Sequence, residues 1–296
     1  MTVVPALERR SWPELLQRVD LPSALLTLGT FAFLFAKPVA LLARDWWNNP
    51  DAGHGLLLAP LALWLAWRAG VRPGARPNLV LGLAVLVASV LVRYLSGLAA
   101  ELFTMRLSLL MGAAGLTICY FGVRQILAWW LPFTLLVLSV PIPDVLLNAI
   151  ALPLQFTASK MGAALLAARH VPVRLDGNVI EIPGHRLFVA EACSGLRSLT
   201  ALLSLAVLLG GITLRSWTGR LLLVLLAVPV AIVVNGVRVF LSGFLVYFVS
   251  PEFGEGFLHL TEGWLLFIVA FAILGGLAFL ASAAERVLSR SRVAYA

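Results

Sequence analysis

The sequence predicts an all-α polytopic membrane protein with about eight transmembrane helices and a small extracytoplasmic β-hairpin element. Of its 296 residues, 61% are hydrophobic and only 12% are charged, whereas soluble domains contain about 45–50% apolar and 25% charged residues. Several apolar runs approach or exceed the ~18–20 residues needed to cross the hydrocarbon core of a bilayer. One short polar stretch, residues 173–189, has the composition typical of strands and turns.

Eight apolar runs define the predicted spans, and arginine-rich loops orient them. The loop after the second run contains Arg68, Arg72 and Arg76 and is the clearest cytoplasmic signal under the positive-inside bias. That second run is short, although it can extend to Gly70. The predicted spans cover about residues 21–42, 55–67, 79–98, 102–121, 126–140, 196–214, 221–248 and 257–284.

Residues 144–170 are apolar but are interrupted by Asn148, Pro153 and Lys160, so they either span the membrane or lie at its surface. If this segment stays on the outer side, the N-terminus, the loop at Arg215 and the C-terminal arginines all fall on the cytoplasmic side. A further span would place these basic clusters on conflicting sides. We therefore expect an interfacial or re-entrant segment and two cytoplasmic termini.

The predicted organisation has three parts along the chain. Residues 1–20 form a cytoplasmic N-terminal segment, and their polar, amphipathic character argues against a cleavable signal peptide. Residues 21–285 form the transmembrane domain, within which residues 144–192 are extracytoplasmic or interfacial and include the β element. Residues 286–296 form a cytoplasmic C-terminal tail.

The composition also argues against several functions. A net charge of +8 would suggest a nucleic-acid partner in a soluble protein, but here the basic residues punctuate hydrophobic runs, so we expect contact with membrane lipids and not with nucleic acid. Cys119 and Cys193 are predicted at opposite membrane faces and form no disulfide framework. His54, His185 and Glu191 lack a compelling ligand spacing, so no metal and no other cofactor is expected.

The β element is predicted from two strand-like runs and a turn. Residues 173–175 and 179–182 flank a turn composition at 176–178 that suits a hairpin. Residues 187–189 add a third short strand after a Pro-Gly pair. This element leads directly into residues 191–199, which begin the next long apolar run.

Cys193 lies at this junction, near the predicted N-terminus of a helix. The partial positive charge of unpaired N–H groups there favours thiolate over thiol, which makes Cys193 a candidate nucleophile. Burial as a small apolar residue is the more common role of a membrane cysteine. Arg197 follows four residues later on the same helical face, where it would favour the thiolate or bind a substrate carboxylate or a lipid phosphate.

Arg238 and His259 are expected at the same membrane face as Cys193. Counted from Gly219 at the cytoplasmic end, Arg238 lies about 28 Å along its helix, close to the ~30 Å thickness of the hydrocarbon core. His259 falls at the outer start of the last span. Charges within apolar spans are costly and often functional, although a snorkelling arginine and an interfacial histidine are the more common roles of each by itself.

These three side chains together suit acyl-transfer chemistry. Cys193 would attack a carbonyl carbon as a thiolate. His259 would take up the thiol proton and later protonate the leaving amine, since imidazole titrates near neutral pH. Arg238 cannot be deprotonated, so it suits permanent donation to the oxyanion or to the substrate carbonyl.

At these residues the sequence resembles the exosortase/archaeosortase family of integral membrane cysteine transpeptidases. The resemblance rests on the run A-C-S-G-L-R-S at 192–198, on N-G-V-R at 235–238 and on His259 at the start of the last helix. The strand pattern at 177–189 also looks like the family's lead-in to its cysteine. The resemblance covers about residues 30–285.

The resemblance implies a catalytic triad in which Cys193 is the nucleophile and Arg238 and His259 complete the site. The neighbouring residues expected to bind substrate are Glu191, Ser194, Arg197 and Asn235.

Membership of this family would imply a bacterial inner-membrane enzyme whose active site faces the periplasm. Its substrates would be exported proteins with a C-terminal sorting signal, made of a short motif such as Pro-Glu-Pro, a transmembrane helix and a basic tail. The enzyme would cleave near the motif and transfer the protein to an acceptor. The alternative is a non-catalytic membrane component of exopolysaccharide export, whose outer arginines bind lipid-linked phosphates.

Overall fold

The computed structural model describes residues 21–49, 51–72, 76–188, 196–250 and 256–294. The predicted N-terminal segment at 1–20 lies outside this set. The described helices are α1 (Leu21–Asn48), α2 (Gly55–Ala69), α3 (Leu79–Leu98), α4 (Leu102–Phe121), α5 (Val123–Ala128), α6 (Trp130–Leu138), α7 (Asp144–Ala167), α8 (Leu196–Thr213), α9 (Trp217–Phe248) and α10 (Gly256–Ala294). The described strands are β1 (Arg174–Asp176), β2 (Val179–Ile182) and β3 (His185–Phe188).

The fold is predominantly helical, as predicted, and the chain is a multi-pass membrane protein. Within the described residues, five helical segments are long and apolar enough to cross a membrane: Leu21–Asn48, Leu79–Leu98, Leu102–Phe121, Trp217–Phe248 and Trp264–Leu288. Two more apolar helices, Gly55–Ala69 and Leu199–Thr213, are shorter. The length and apolarity of these helices therefore support five of the eight predicted spans.

The predicted span at 126–140 differs most from expectation. It begins earlier, and Trp129 divides it into α5 and α6. Gly122, with a φ of 78°, ends α4 immediately before α5. A Cβ at Gly122 would lie 1.9 Å from the carbonyl oxygen of Arg76, so the close approach of that loop requires glycine here.

The chain forms two compact units, Met1–Ile142 and Pro143–Ala296. In the first unit, α3 and α4 form a tight antiparallel helix pair. A Cβ at Gly82 would lie 2.3 Å from Sγ of Cys119, and one at Gly115 would lie 2.8 Å from Cγ of Leu86. Cys119 is buried in this contact, where its side chain packs in the core of the helix pair.

Side chains join the helices of the first unit at both ends. At one end, the carbonyl of Gly70 accepts hydrogen bonds from Nε2 of Gln125 and Nε1 of Trp129, both at 3.1 Å. At the other end, Nε1 of Trp46 donates to the carbonyl of Ser139 at 2.7 Å. These bonds satisfy backbone carbonyls that lipid would leave unpaired.

The second unit contains the predicted β element, which is a three-stranded antiparallel sheet in the order β1-β2-β3. Two-residue turns connect the strands, and Gly177 and Gly184 adopt φ values of 61° and 80° in them. Ile180 and Ile182 of β2 are buried against α7 and α9. The alternation of buried and half-buried residues in β2 thus fixes which face of the sheet packs on the helices.

Residues 144–167, for which we predicted an interfacial or re-entrant path, form one continuous helix that packs along α9. Cβ atoms built on Gly236 and Gly243 of α9 would lie 2.4 Å from Sδ of Met161 and 2.8 Å from Cδ1 of Leu166. Because residue numbers rise together in these pairs, α7 and α9 run in the same direction. The position of α7 relative to the bilayer stays a prediction.

The predicted C-terminal tail at 286–296 also has a defined path through most of its length. Its first residues continue α10, which ends at Ala294. Glu285, directly before it, accepts hydrogen bonds from the backbone N–H groups of Arg215 and Ser216 at 2.9 and 3.1 Å. This carboxylate therefore fastens the end of α10 to the loop between α8 and α9.

Candidate active site

The described part of the candidate site is a polar stripe on the second half of α9. Asn235, Arg238 and Ser242 are three and four residues apart, so they share one face of the helix. Asn235 and Ser242 are only 4% and 8% exposed, and Arg238 is half-buried. Buried polar groups in a helix of such apolar composition are costly, which makes this face the candidate site.

The small sheet packs against the same stretch of α9. Val239, next to Arg238, and Val246 pack in one cluster with Ile180 and Ile182 of β2 and with residues of α7. The sheet therefore holds the helix turn that carries Arg238. β3 ends at Phe188, five residues before Cys193, and five residues span at most about 18 Å.

Helix α8 runs antiparallel to α9 and leads back to the polar stripe. At one end of the pair, a Cβ at Gly210 would lie 3.5 Å from Cα of Arg220. Further along, Leu199 of α8 shares a buried cluster with Ala231 of α9. At 1.5 Å per residue, the first residue of α8 is level with Asn235 to within about one helical turn.

Helix α10 also runs antiparallel to α9. Glu285 lies beside the start of α9, where a Cβ at Gly219 would be 2.7 Å from its Oε1. Ala270 and Leu274 pack in the cluster shared by α8 and α9. Counted from the Glu285–Gly219 contact, the backbone of His259 lies about 10 Å further along the axis of α9 than Arg238 does.

The structure describes the predicted site residues to different extents. Asn235 and Arg238 are described with both backbone and side chain, and their spacing puts them on one face of α9. Arg197 in α8 and His259 in α10 are described by their helical backbone only. Three predicted site residues lie outside the described residues: Glu191, Cys193 and Ser194.

Sequence inspection missed two polar groups near this site. Ser242 extends the polar stripe. It lies seven residues, or two helical turns, after Asn235, and this spacing in the sequence indicates that the two residues share a helix face. Gln155 of α7 is 5% exposed and accepts a hydrogen bond from Nδ2 of Asn178 at 3.4 Å. Gln155 thus ties the β1–β2 turn to α7, a contact that only the tertiary structure brings about.

Within the described residues, no group of three or more His, Cys, Asp and Glu side chains could hold a metal ion. His54 instead contacts the carbonyl of Leu138 through Nε2 at 3.1 Å. His185 begins β3, paired in register with Ile182.

Comparison with known proteins identifies the family. The sequence profile of the transmembrane exosortase family (Exosortase_EpsH) matches residues 46–276, which is most of the chain. No curated protein and no solved structure matches it. The matched region includes the polar stripe on α9, the β element and the helices on either side of both. The chain therefore belongs to the transmembrane exosortase family.

Proposed function

We propose that the chain is a membrane cysteine transpeptidase that cleaves the C-terminal sorting signal of exported proteins and transfers them to an acceptor. The observation that carries this proposal is the polar stripe Asn235–Arg238–Ser242, with two buried members and a half-buried arginine, level with the start of α8. Cys193 precedes α8 by three residues, so the chain holds it within about 11 Å of Leu196. This chain-length limit supports the proposal that the nucleophile and the arginine act in one site.

In the first step, His259 takes the proton of the Cys193 thiol, and the resulting thiolate attacks the carbonyl carbon of the scissile peptide bond. A carbon–sulfur bond forms and the carbonyl π electrons move to oxygen, which gives a tetrahedral oxyanion. The C–N bond then breaks as His259 donates a proton to the leaving amine. The products are a thioester on Cys193 and the released C-terminal segment of the substrate.

In the second step, a nucleophile from the acceptor attacks the thioester carbonyl. His259 takes the proton of that nucleophile, and the carbon–sulfur bond breaks to return the Cys193 thiolate. Water in place of the acceptor gives hydrolysis. The same three residues therefore serve both outcomes, and exclusion of water decides between them.

Arg238 is proposed to donate hydrogen bonds to the oxyanion that forms in both steps. Its charge is permanent, and its half-buried position on an apolar helix strengthens interaction with a developing negative charge. Asn235, one turn before it, is proposed to donate to the substrate backbone. Glu191, Ser194 and Arg197 are proposed to complete the substrate site, with Arg197 also favouring the thiolate.

The proposed substrates carry a short motif, a transmembrane helix and a basic tail. A helix of that kind can reach the site laterally from the lipid, which accounts for catalytic residues on membrane helices instead of in a soluble domain. We place the enzyme in the bacterial inner membrane with its site facing the periplasm. This orientation follows from the arginine-rich loops and the positive-inside bias.

Replacement of the two cysteines tests the enzymatic function. Cells that co-express the full chain with a substrate protein should retain the C-terminal helix on the substrate when Cys193→Ala is present. Cys119→Ala removes the buried cysteine of α4 and is the matched control, with processing expected close to wild type. Unchanged processing by Cys193→Ala would overturn the proposal and favour the export component considered above.

Mass spectrometry of the processed substrate separates transfer from hydrolysis. A new C-terminus with added mass identifies the acceptor class, whereas a free carboxylate shows hydrolysis. If the substrate acyl group is trapped on Cys193 as a thioester, hydroxylamine should cleave the thioester and release the substrate as a hydroxamate. A substrate that is released unchanged from a purified covalent complex would contradict the thioester step.

A further inference from the structure

Two basic residues of the first unit lie in apolar helices, far in sequence from the site described above. Lys37 lies within α1 and Arg93 within α3. Both helices are apolar enough to cross a membrane, where a lysine or arginine is costly and marks a functional position. Their placement therefore needs an anionic partner or a route to the aqueous interface.

Lys37 and Arg93 line the same cavity, which has a volume of about 230 Å³. Nε of Arg93 is buried and has no hydrogen-bond partner among the described residues. No carboxylate in the described part of the chain forms an ion pair with either residue, and Asp45 of α1 is paired with Arg106. The complete lining is Lys37, Arg93, Tyr94, Gly97, Leu98 and Met105.

The cavity lies toward one end of the helices that form it. Arg93 is five residues before the end of α3, about 8 Å along the axis, and Lys37 is about 16 Å before the end of α1. The pairing of Asp45 in α1 with Arg106 in α4 shows that these ends lie together. Both side chains are long enough to direct their charges toward a headgroup layer at that end.

The surroundings of the cavity are apolar and exposed. Tyr94 and Leu98 in its lining are both more than half exposed. In a multi-pass membrane protein such a surface faces lipid chains, and tyrosine is enriched at the membrane–water interface. An anion therefore reaches this cavity more readily from the lipid than from water.

We propose that this cavity binds the phosphate of an anionic membrane lipid. The guanidinium of Arg93 matches the planar, bidentate geometry that phosphate oxygens prefer, and the ammonium of Lys37 adds a second point charge. The acyl chains lie against the exposed apolar faces of α1 and α3. Bound lipid thereby links α1 to the α3–α4 pair and stabilises the first unit by mass action.

Lipid titration of the purified full chain tests this proposal. Phosphatidylglycerol added to the detergent-solubilised protein should raise its thermal unfolding midpoint, and phosphatidylcholine with the same acyl chains should not. Arg93→Gln and Lys37→Gln should each weaken the response to phosphatidylglycerol by roughly tenfold or more in lipid concentration. Arg44→Gln removes an exposed charge from α1 outside the cavity lining and should leave the response unchanged.

A second variant blocks the cavity and retains both charges. A Cβ at Gly97 would meet only Cε of Met105, at 3.8 Å, so Gly97→Leu places a side chain in the cavity without a clash at its Cβ. This variant should fold and lose the phosphatidylglycerol response, and Gly97→Ala should keep most of it.

Four outcomes would overturn the proposal. The first two are an equal midpoint shift with both lipids, and a shift with inorganic phosphate alone that matches the shift with phosphatidylglycerol. The other two concern variants: Arg44→Gln loses as much of the phosphatidylglycerol response as the cavity variants do, or Gly97→Leu keeps the wild-type response.

Discussion

Gly162 of α7 lies so close to Val239 of α9 that a Cβ on the glycine would be 2.4 Å from Cγ1 of the valine. Real Cβ atoms essentially never approach another heavy atom so closely. Val239 is the residue after Arg238, so this contact sets the position of the helix turn that carries the proposed oxyanion donor. Packing of α7 is thereby coupled to the geometry of the candidate active site.

We predict that Gly162→Ala destabilises the protein. Val239 is β-branched and has one strongly preferred χ1 rotamer in a helix, so turning Cγ1 away is unfavourable. Overpacking of this kind costs about 1–3 kcal/mol. The thermal unfolding midpoint of the purified protein should fall. Gly276→Ala in α10 is the matched control, because nothing lies within 4 Å of a Cβ there and alanine favours a helix by about 1 kcal/mol. Equal midpoints for the two variants would contradict the packing argument.

Arg238→Lys should lose most of the processing activity and keep the fold. Lysine retains the charge, but its point-like ammonium does not replace a planar set of donors around an oxyanion. The loss of one such donor costs about 10²–10³ in rate. The measurement is the rate of substrate processing at matched protein levels. Arg174→Lys, an exposed position on β1, is the control, and near-wild-type processing by Arg238→Lys would count against the oxyanion role.

Substitutions of Asp45 in α1 and Arg106 in α4, which form an ion pair, should have strongly non-additive effects on the free energy of unfolding. Arg106 is 7% exposed, and removal of one member of a buried pair leaves an uncompensated charge at a cost of about 3–5 kcal/mol. Asp45→Leu alone leaves the buried Arg106 charge unpaired and should therefore destabilise more than Asp45→Leu combined with Arg106→Met. A double-mutant cycle on the unfolding free energy gives the coupling, and purely additive effects would show that the pair contributes little.

Glu101 should contribute a pH-dependent stabilisation to the start of α4. The hydroxyl of Thr104 donates to its carboxylate, and together with the N–H groups of Thr104 and Phe103 it lowers the pKa of Glu101 below its ordinary value. With a lowered pKa, the stabilisation is complete above the unfolded-state pKa and is lost as the pH falls through the folded-state pKa.

The test compares the unfolding midpoints of wild type and Glu101→Gln as the pH is lowered. The difference should be largest near neutral pH and should shrink below about pH 4, where the carboxylate becomes protonated. Exposure of Glu101 to solvent keeps the effect small. A difference that grows at low pH would show that the charge does not stabilise the helix start.

The chain sequence determined much of the secondary structure and the family. Long apolar runs predicted the helices at 79–98 and 102–121, whose bounds agree with the structure, because a segment of that composition must satisfy its backbone internally. Local turn chemistry predicted the sheet, since glycine at 177 and 184 permits the positive φ values of two-residue turns. The motifs around Cys193, Arg238 and His259 predicted the family, which the profile match confirms.

Only the tertiary structure decided how these elements pack. Helix α7 is polar enough to predict an interfacial path, yet Gly162, Gly236 and Gly243 bring it alongside α9. The cavity at Lys37 and Arg93 joins residues from helices that are distant in sequence. Sequence periodicity shows which face of a helix is apolar. Which neighbouring helix packs against that face depends on close contacts between particular small and large side chains.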